Sequence, residues 1–178
     1  MVFGRFQPPT RAHAMLLKKA EDLAKKQQAS LFVFPSQTHD KSDNPIPWEA
    51  KIVVMRRMFP SIASRIIKEP SVRTVFDALS LLYSKGFRRL SLVVGSDRVK
   101  SFKHTLNQYN GRRSSASKIF YDFSHIDVVQ AGEPRVEGEK SLRGMTGASA
   151  RAAARRGDEE EFSRIIATSD KKLVKATM

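Results

Sequence analysis

Cysteine is absent from the 178 residues. That absence excludes disulfide staples, thiolate metal sites and a cysteine nucleophile, and it is compatible with a reducing compartment. Long apolar runs are also missing: none approaches the roughly 18 residues that a membrane-crossing helix needs. The opening residues read as a strand without the charged and apolar regions of a signal peptide, so a cytoplasmic location is expected. Acidic residues are scarce, 18 Asp and Glu against 32 Lys and Arg, which leaves a formal charge of +14. Such a balance favours polyanionic partners, whether nucleotides, nucleic acid or an acidic surface. The basic residues are dispersed in short pairs such as Lys18-Lys19, Arg56-Arg57 and Arg155-Arg156, so a solvated outer face and a nucleic-acid surface stand as equal readings. Aromatics make up only 8% of the chain and form no stacking array, so nucleic-acid binding, if present, is expected to be electrostatic.

What is present is an ordinary globular share of hydrophobic residues, 40%, in a chain of single-domain length. The expected organisation is one domain over residues 1–168 followed by a frayed basic tail over 169–178. Apolar strand-like runs alternate with amphipathic stretches. Strands are expected over Met1–Phe6, Ser30–Phe34, Arg65–Lys68, Leu90–Val94 and Ile126–Val129. Helices are expected over 12–26, with Met15, Leu16, Ala20, Leu23 and Ala24 inward, and over 48–58, 72–85 and 99–109. Gly86 stops the third of these. The first strand is unusually short for a central one. Residues 112–118 form a basic, serine-rich loop of low complexity, and 132–144 run without periodicity. A helix of alanines and arginines then opens near Thr146, and a short acidic helix follows Gly157-Asp158. The pattern is that of a Rossmann-like, doubly wound α/β protein with a five-stranded parallel sheet and helices on both faces.

Three places at strand ends carry chemistry. In Gly4-Arg5-Phe6-Gln7-Pro8-Pro9-Thr10-Arg11-Ala12-His13 an apolar strand breaks at two prolines, and a helix starts with Thr10 as its N-cap. The free N–H groups of that helix start can hold an anion. Thr10 and His13 are expected to face it, with Arg5 a permanent cation nearby and Gly4 permitting close approach. Alone, Thr-x-x-His is also what an exposed β-α turn with a capping threonine looks like. At the second place, Gly95-Ser96-Asp97-Arg98 follows a buried strand. Asp97 suits ribose hydroxyls there, and equally suits capping the next helix. At the third, Met145-Thr146-Gly147-Ala148-Ser149-Ala150-Arg151 opens a helix with two hydroxyls and a guanidinium in its first turn, which suits terminal phosphates. His39 and Asp40 have no third ligand nearby, so no protein-held metal is expected.

The first of these motifs resembles the His/Thr-x-Gly-His signature of the nucleotidyltransferase superfamily, with Ala12 in place of the glycine. The last resembles that family's Ser/Thr-x-Ser/Thr-x-x-Arg motif, with Ala148 in place of the middle hydroxyl. Ser36-Gln37-Thr38, Asn44-Pro45 followed by Lys51, Phe59-Pro60, Gly95-Ser96-Asp97-Arg98 with Phe102, and Tyr109-Asn110-Gly111 are similar to the phage-encoded, cytidylyltransferase-like branch. Gly4-Arg5-Phe6-Gln7-Pro8 looks most like adenylyltransferases that act on nicotinamide mononucleotide in NAD biosynthesis. The resemblance implies nucleotidyl transfer: an acceptor phosphate attacks a nucleoside triphosphate and pyrophosphate leaves. It casts His13, Thr10 and Arg151 as catalytic, and Gly4, Arg5, Phe6, Gln7, Gly95, Asp97, Arg98, Thr146 and Ser149 as nucleotide-binding. It also implies Mg²⁺ held mainly through substrate phosphates. Cytidylyl transfer to another phosphorylated acceptor is the runner-up. The rival is a relative that has lost turnover and uses its basic charge to bind nucleic acid or an assembly. The oligomeric state stays open.

Overall fold

The computed structural model describes residues 1–113, 119–132 and 145–178. The core of the serine-rich loop, 114–118, and nearly all of the aperiodic stretch, 133–144, lie outside the described residues. In chain order the elements are β1 (Val2–Gly4), α1 (Arg11–Lys26), β2 (Val33–Pro35), α2 (Trp48–Met58), α3 (Val75–Ser84), β3 (Arg89–Gly95), α4 (Val99–Tyr109), β4 (His125–Ala131), α5 (Gly147–Arg155), α6 (Glu159–Ile165) and α7 (Lys171–Thr177). Short 3-10 turns cover Pro60–Arg65 and Ser96–Arg98.

Every strand pair is parallel, as the alternation of strand and helix requires. Val2, Phe3 and Gly4 pair with Val33, Phe34 and Pro35, and Arg89 to Gly95 pair in register with His125 to Ala131. The expected five-stranded sheet is therefore corrected to two two-stranded parallel sheets among the described residues. They touch at Met1, whose nitrogen donates to Ser91 O at 2.5 Å and whose carbonyl accepts from Val93 N at 3.0 Å. The expected strand at 65–68 shrinks to a single bridge, Val33 to Ile66. Pro60, pre-set for a helical turn and unable to donate, starts a 3-10 segment that lasts to Arg65, so only Ile66 and Ile67 reach β2.

Side chains alternate across each strand, and the two faces bury against different helices. Leu90, Leu92 and Val94 join Phe34 and the α3 residues Ala78, Leu79 and Leu82 on one side. Val2, Val33 and Val93 join Leu17 and Ala20 of α1 and Ile52 and Met55 of α2 on the other. On α1 the buried pair is Leu17 and Ala20, while Met15 stays 49% exposed. Leu16, Ala20, Leu23 and Ala24 pack inward as expected, and the one exchange is Leu17 for Met15. α3 is set by a capping box in which Thr74 and Asp77 satisfy each other's backbone N–H groups. Gly86, at φ +93, ends it in the conformation that glycine adopts without strain.

A third cluster joins α5, α6 and α7 through Ala150, Ala153, Phe162, Ile165 and Val174. The segment expected to fray instead carries α7. Asp170 caps it through Leu173 N and Lys172 N, and Leu173 and Val174 are buried. Among the described residues no helix is long and apolar enough to cross a membrane.

Candidate active site

The chain leaves β1 at Gly4 and turns sharply. Phe6 takes φ +49, a conformation unfavourable for a side-chain-bearing residue. Burial holds it there: Phe6 is 1% exposed, and its ring folds back so closely that a Cβ on Gly4 would meet Cε2 at 3.1 Å. The missing side chain of Gly4 thus serves this packing, where sequence reasoning assigned it to ligand approach. A cis bond joins Gln7 to Pro8. The corner is braced from behind by the chain after α6, where Ala167 N donates to Pro9 O at 3.2 Å and Thr10 bridges Ile166.

Thr10 N-caps α1, and its partner in the capping box is His13. The Thr10 N–H donates to His13 Nδ1 at 3.0 Å, Thr10 Oγ1 lies 3.0 Å from the same nitrogen, and His13 N–H donates back to Oγ1 at 3.4 Å. A backbone donor on Nδ1 requires that nitrogen to be bare, so the proton of the uncharged ring sits on Nε2. The Phe6 ring, 4.9 Å away between centroids, supports the imidazole from the side. Thr10 itself is 0% exposed. Its hydroxyl orients His13 and is enclosed in the cap, whereas the His13 ring is only half-buried, so of the two side chains expected to face an anion Thr10 is sealed from the surface.

The second motif docks on the first. α5 is capped by Thr146, whose N–H is satisfied by Ser149 Oγ at 2.9 Å while Ser149 N donates to Thr146 Oγ1 at 3.0 Å. Both hydroxyls are thus engaged in the cap. Gly147, the first helical residue, lies so close to the corner that a Cβ there would be 2.8 Å from Gln7 O. Arg151 donates from Nη1 to the same carbonyl at 2.8 Å and from Nη2 to Asp43 at 2.9 Å. Its side chain is 13% exposed against 61% for Asp43, and its Nε is buried without a partner. Gln7 is the hub of this contact. Its own side chain is buried and spans the loop after β2, with Nε2 donating to Ile46 O at 2.8 Å and Oε1 accepting from Ile46 N at 3.0 Å. Gln7 and Phe6, both expected to touch a nucleotide, hold the corner through buried side chains.

A strand-turn-helix corner with an oriented imidazole, met by a second helix start bearing a guanidinium, is a geometry for binding and transferring phosphate groups. The sequence profile of the cytidylyltransferase-like family matches residues 1–142. The chain belongs to that family. Membership brings the Rossmann-like α/β class, nucleotide binding and nucleotidyltransferase activity in general. A comparison with curated proteins finds no match. The family's matched span holds the Thr10–His13 corner and stops short of Thr146 and Arg151.

At the end of β3, Asp97 and Arg98 are exposed. α4 has Arg98 at its N-cap with no side-chain cap bond, and Asp97 lies in the 3-10 turn just before it. Gly95 makes room for it, since a Cβ there would fall 3.0 Å from Asp97 Oδ1. Arg5 is exposed at the end of β1. Arg5, His13, Asp97 and Arg98 are thus left accessible at the carboxyl ends of β1 and β3, where open α/β sheets place ligands.

Sequence reasoning gave Lys51 no role. It is 0% exposed on α2, donating to Arg5 O at 2.9 Å and Ser36 O at 2.6 Å. The signal was available: Lys51 falls on the same helical stripe as Trp48, Ile52 and Met55, one turn apart along an otherwise inward face. In the loop after β2, Asp40 closes a turn by accepting from Ser42 N at 3.0 Å and Asp43 N at 2.6 Å, and from the Asn44 side chain. Those bonds, led by the one from Asn44, hold the Asp40 carboxyl far below the ordinary carboxylate range.

Proposed function

We propose that the protein transfers a nucleoside monophosphate from a triphosphate to a phosphorylated small molecule. Adenylyl transfer to nicotinamide mononucleotide is the favoured pair and cytidylyl transfer the alternative. The observation that carries this reading is the meeting of two anion-suited helix starts at one residue, Gln7, with His13 oriented on one side and Arg151 held on the other. In the reaction an acceptor phosphate oxygen forms a bond to the α-phosphorus while the bond to the bridging oxygen of pyrophosphate breaks. Charge builds on the non-bridging and leaving oxygens, and no proton must be removed from the attacking phosphate dianion. His13 Nε2–H donates to the α-phosphate region. Arg151 supplies forked donors to the leaving pyrophosphate on releasing Asp43. Asp97, at the β3 end, meets the ribose, and Arg5 and Arg98 add cations on the same edge.

Among the described residues no three His, Asp or Glu side chains converge as a metal cage. This donor set suits Mg²⁺ coordinated by triphosphate oxygens and water, where it would neutralise charge on the transferring group. The preference for adenylyl transfer rests on the likeness of Gly4-Arg5-Phe6-Gln7-Pro8 to enzymes of that specificity. The test is pyrophosphate release across the four nucleoside triphosphates, each paired with nicotinamide mononucleotide and with other phosphorylated acceptors. Release with ATP and nicotinamide mononucleotide above every other pair is expected. Release with CTP alone would move the assignment to cytidylyl transfer, and no release with any pair would overturn the enzyme reading.

A further inference from the structure

Beyond Gly4 and Pro35 the β1–β2 ladder ends, with Ser36 N donating to Gly4 O at 2.8 Å as its last backbone bond. The next two carbonyls, of Arg5 and Ser36, are both acceptors and cannot satisfy each other. The Lys51 ammonium lies between them and donates to both, at 2.9 and 2.6 Å. It has no carboxylate partner among the described residues. Two further oxygens of these segments, Ser36 Oγ and Asn44 Oδ1, are buried without partners. Burying a cation that carbonyl dipoles alone compensate is unfavourable, so the site holds this ammonium against its desolvation cost. Burial lowers the Lys51 pKa to about 8, which keeps the group mostly protonated at neutral pH.

The two carbonyls head the two segments that build the site. Arg5 leads into Phe6, Gln7 and the His13 corner. Ser36 leads into the loop whose Asp43 holds Arg151 and whose Ile46 is bracketed by Gln7. We infer that Lys51 is a positioning residue for nucleotidyl transfer: by tying the Arg5 and Ser36 carbonyls to one buried ammonium, it sets the height of the His13 corner against the loop that carries Asp43. This inference rests on the nucleotidyltransferase reading. Lys51 touches no substrate, because the strand ends cover it completely.

The absence of cysteine allows a test that changes charge at constant length. The Lys51→Cys protein is unfolded, alkylated with either an aminoethyl or a propyl group, and refolded. The first restores an ammonium at lysine's reach and the second places a methyl there. Kinetics use the substrate pair that the wild type turns over best, well below each form's unfolding temperature. The aminoethyl form should recover kcat to within about threefold, and the propyl form should fold yet lose about tenfold or more in kcat with triphosphate KM little changed, since misplacing the catalytic corner acts on the transition state. Amide exchange at residues 5–7 and 36–37 should be faster in the propyl form. Equal kcat in the two folded forms would overturn the inference and leave the enzyme reading intact. A wild type inactive with every pair would overturn both. Should the propyl form not refold, Lys51→Arg decides: it keeps the charge but alters the reach, so kcat should drop about fivefold or more, and an unchanged kcat would overturn the inference.

Discussion

Gly147→Ala is the sharpest probe of how the two motifs meet. At an ordinary first helical position the change would be neutral or stabilising, since alanine exceeds glycine in helix propensity by up to about 1 kcal/mol. Gly147 also has no left-handed φ that would resist a side chain. The contact reverses the sign. A Cβ would lie 2.8 Å from Gln7 O, 3.3 Å from Arg151 Nη1 and 3.4 Å from Gln7 C, whereas carbon–oxygen approaches normally stop near 3.3 Å, so a shift of about 0.5 Å is required. Gln7 cannot easily supply it, because its side chain is bonded at both ends to Ile46 and its carbonyl accepts from Arg151. α5 must therefore move away. Overpacking of this kind costs about 1–3 kcal/mol, and after the propensity gain a net destabilisation of about 1–2 kcal/mol is expected. The same half-ångström withdraws Arg151 from the corner, which should lower kcat/KM by about tenfold. Urea melts and steady-state kinetics check the two halves separately. A Gly147→Ala protein at least as stable as wild type, with unchanged kcat/KM, would refute the docking of α5 on the first corner.

His13→Ala should lower turnover by about 10² or more while sparing stability to within about 1 kcal/mol, the capping loss from N3 being small; equal turnover in the folded variant would remove His13 from catalysis. Arg151 donates from two different nitrogens to Gln7 O and Asp43, a planar fork that a point charge does not reproduce, so Arg151→Lys should raise the triphosphate KM and lower kcat together, as kinetics with varied triphosphate will read. Leu173→Ala in α7, at 7% exposure, should destabilise the protein by about 2–4 kcal/mol in denaturant melts, whereas an undocked tail would show no change. Binding to arbitrary single-stranded DNA, if the +14 charge supports it, should weaken steeply between about 50 and 200 mM salt in a fluorescence titration; tight binding that persists at high salt would favour a nucleic-acid function over the enzymatic one.

Much of the fold was legible because periodicity and capping are local. Leu90 to Val94 reads as a buried parallel strand on its own, Thr10 and Thr146 announce their helices, and Gly86 stops one, all through neighbours within a turn. The Thr10–His13 corner was legible for the same reason, its residues lying within one turn of each other. What the sequence left ambiguous was decided by contacts between distant segments. Whether Ile66 adds a full strand depended on how much chain Pro60 leaves to reach β2, and whether Leu17 or Met15 points inward depended on where α1 lands across the strands. The last residues form a helix because Val174 finds a face on α5 and α6 to cover. Gln7 could not be read as a hub from its own neighbourhood, since its partners Ile46 and Arg151 lie 39 and 144 residues away. Lys51 is the clearest case. A lysine on a helix is ordinarily a solvated charge, and only the arrival of two strand ends above α2 buries this one and gives its ammonium two carbonyls to hold, because desolvation and hydrogen bonding are set by what surrounds a group in space.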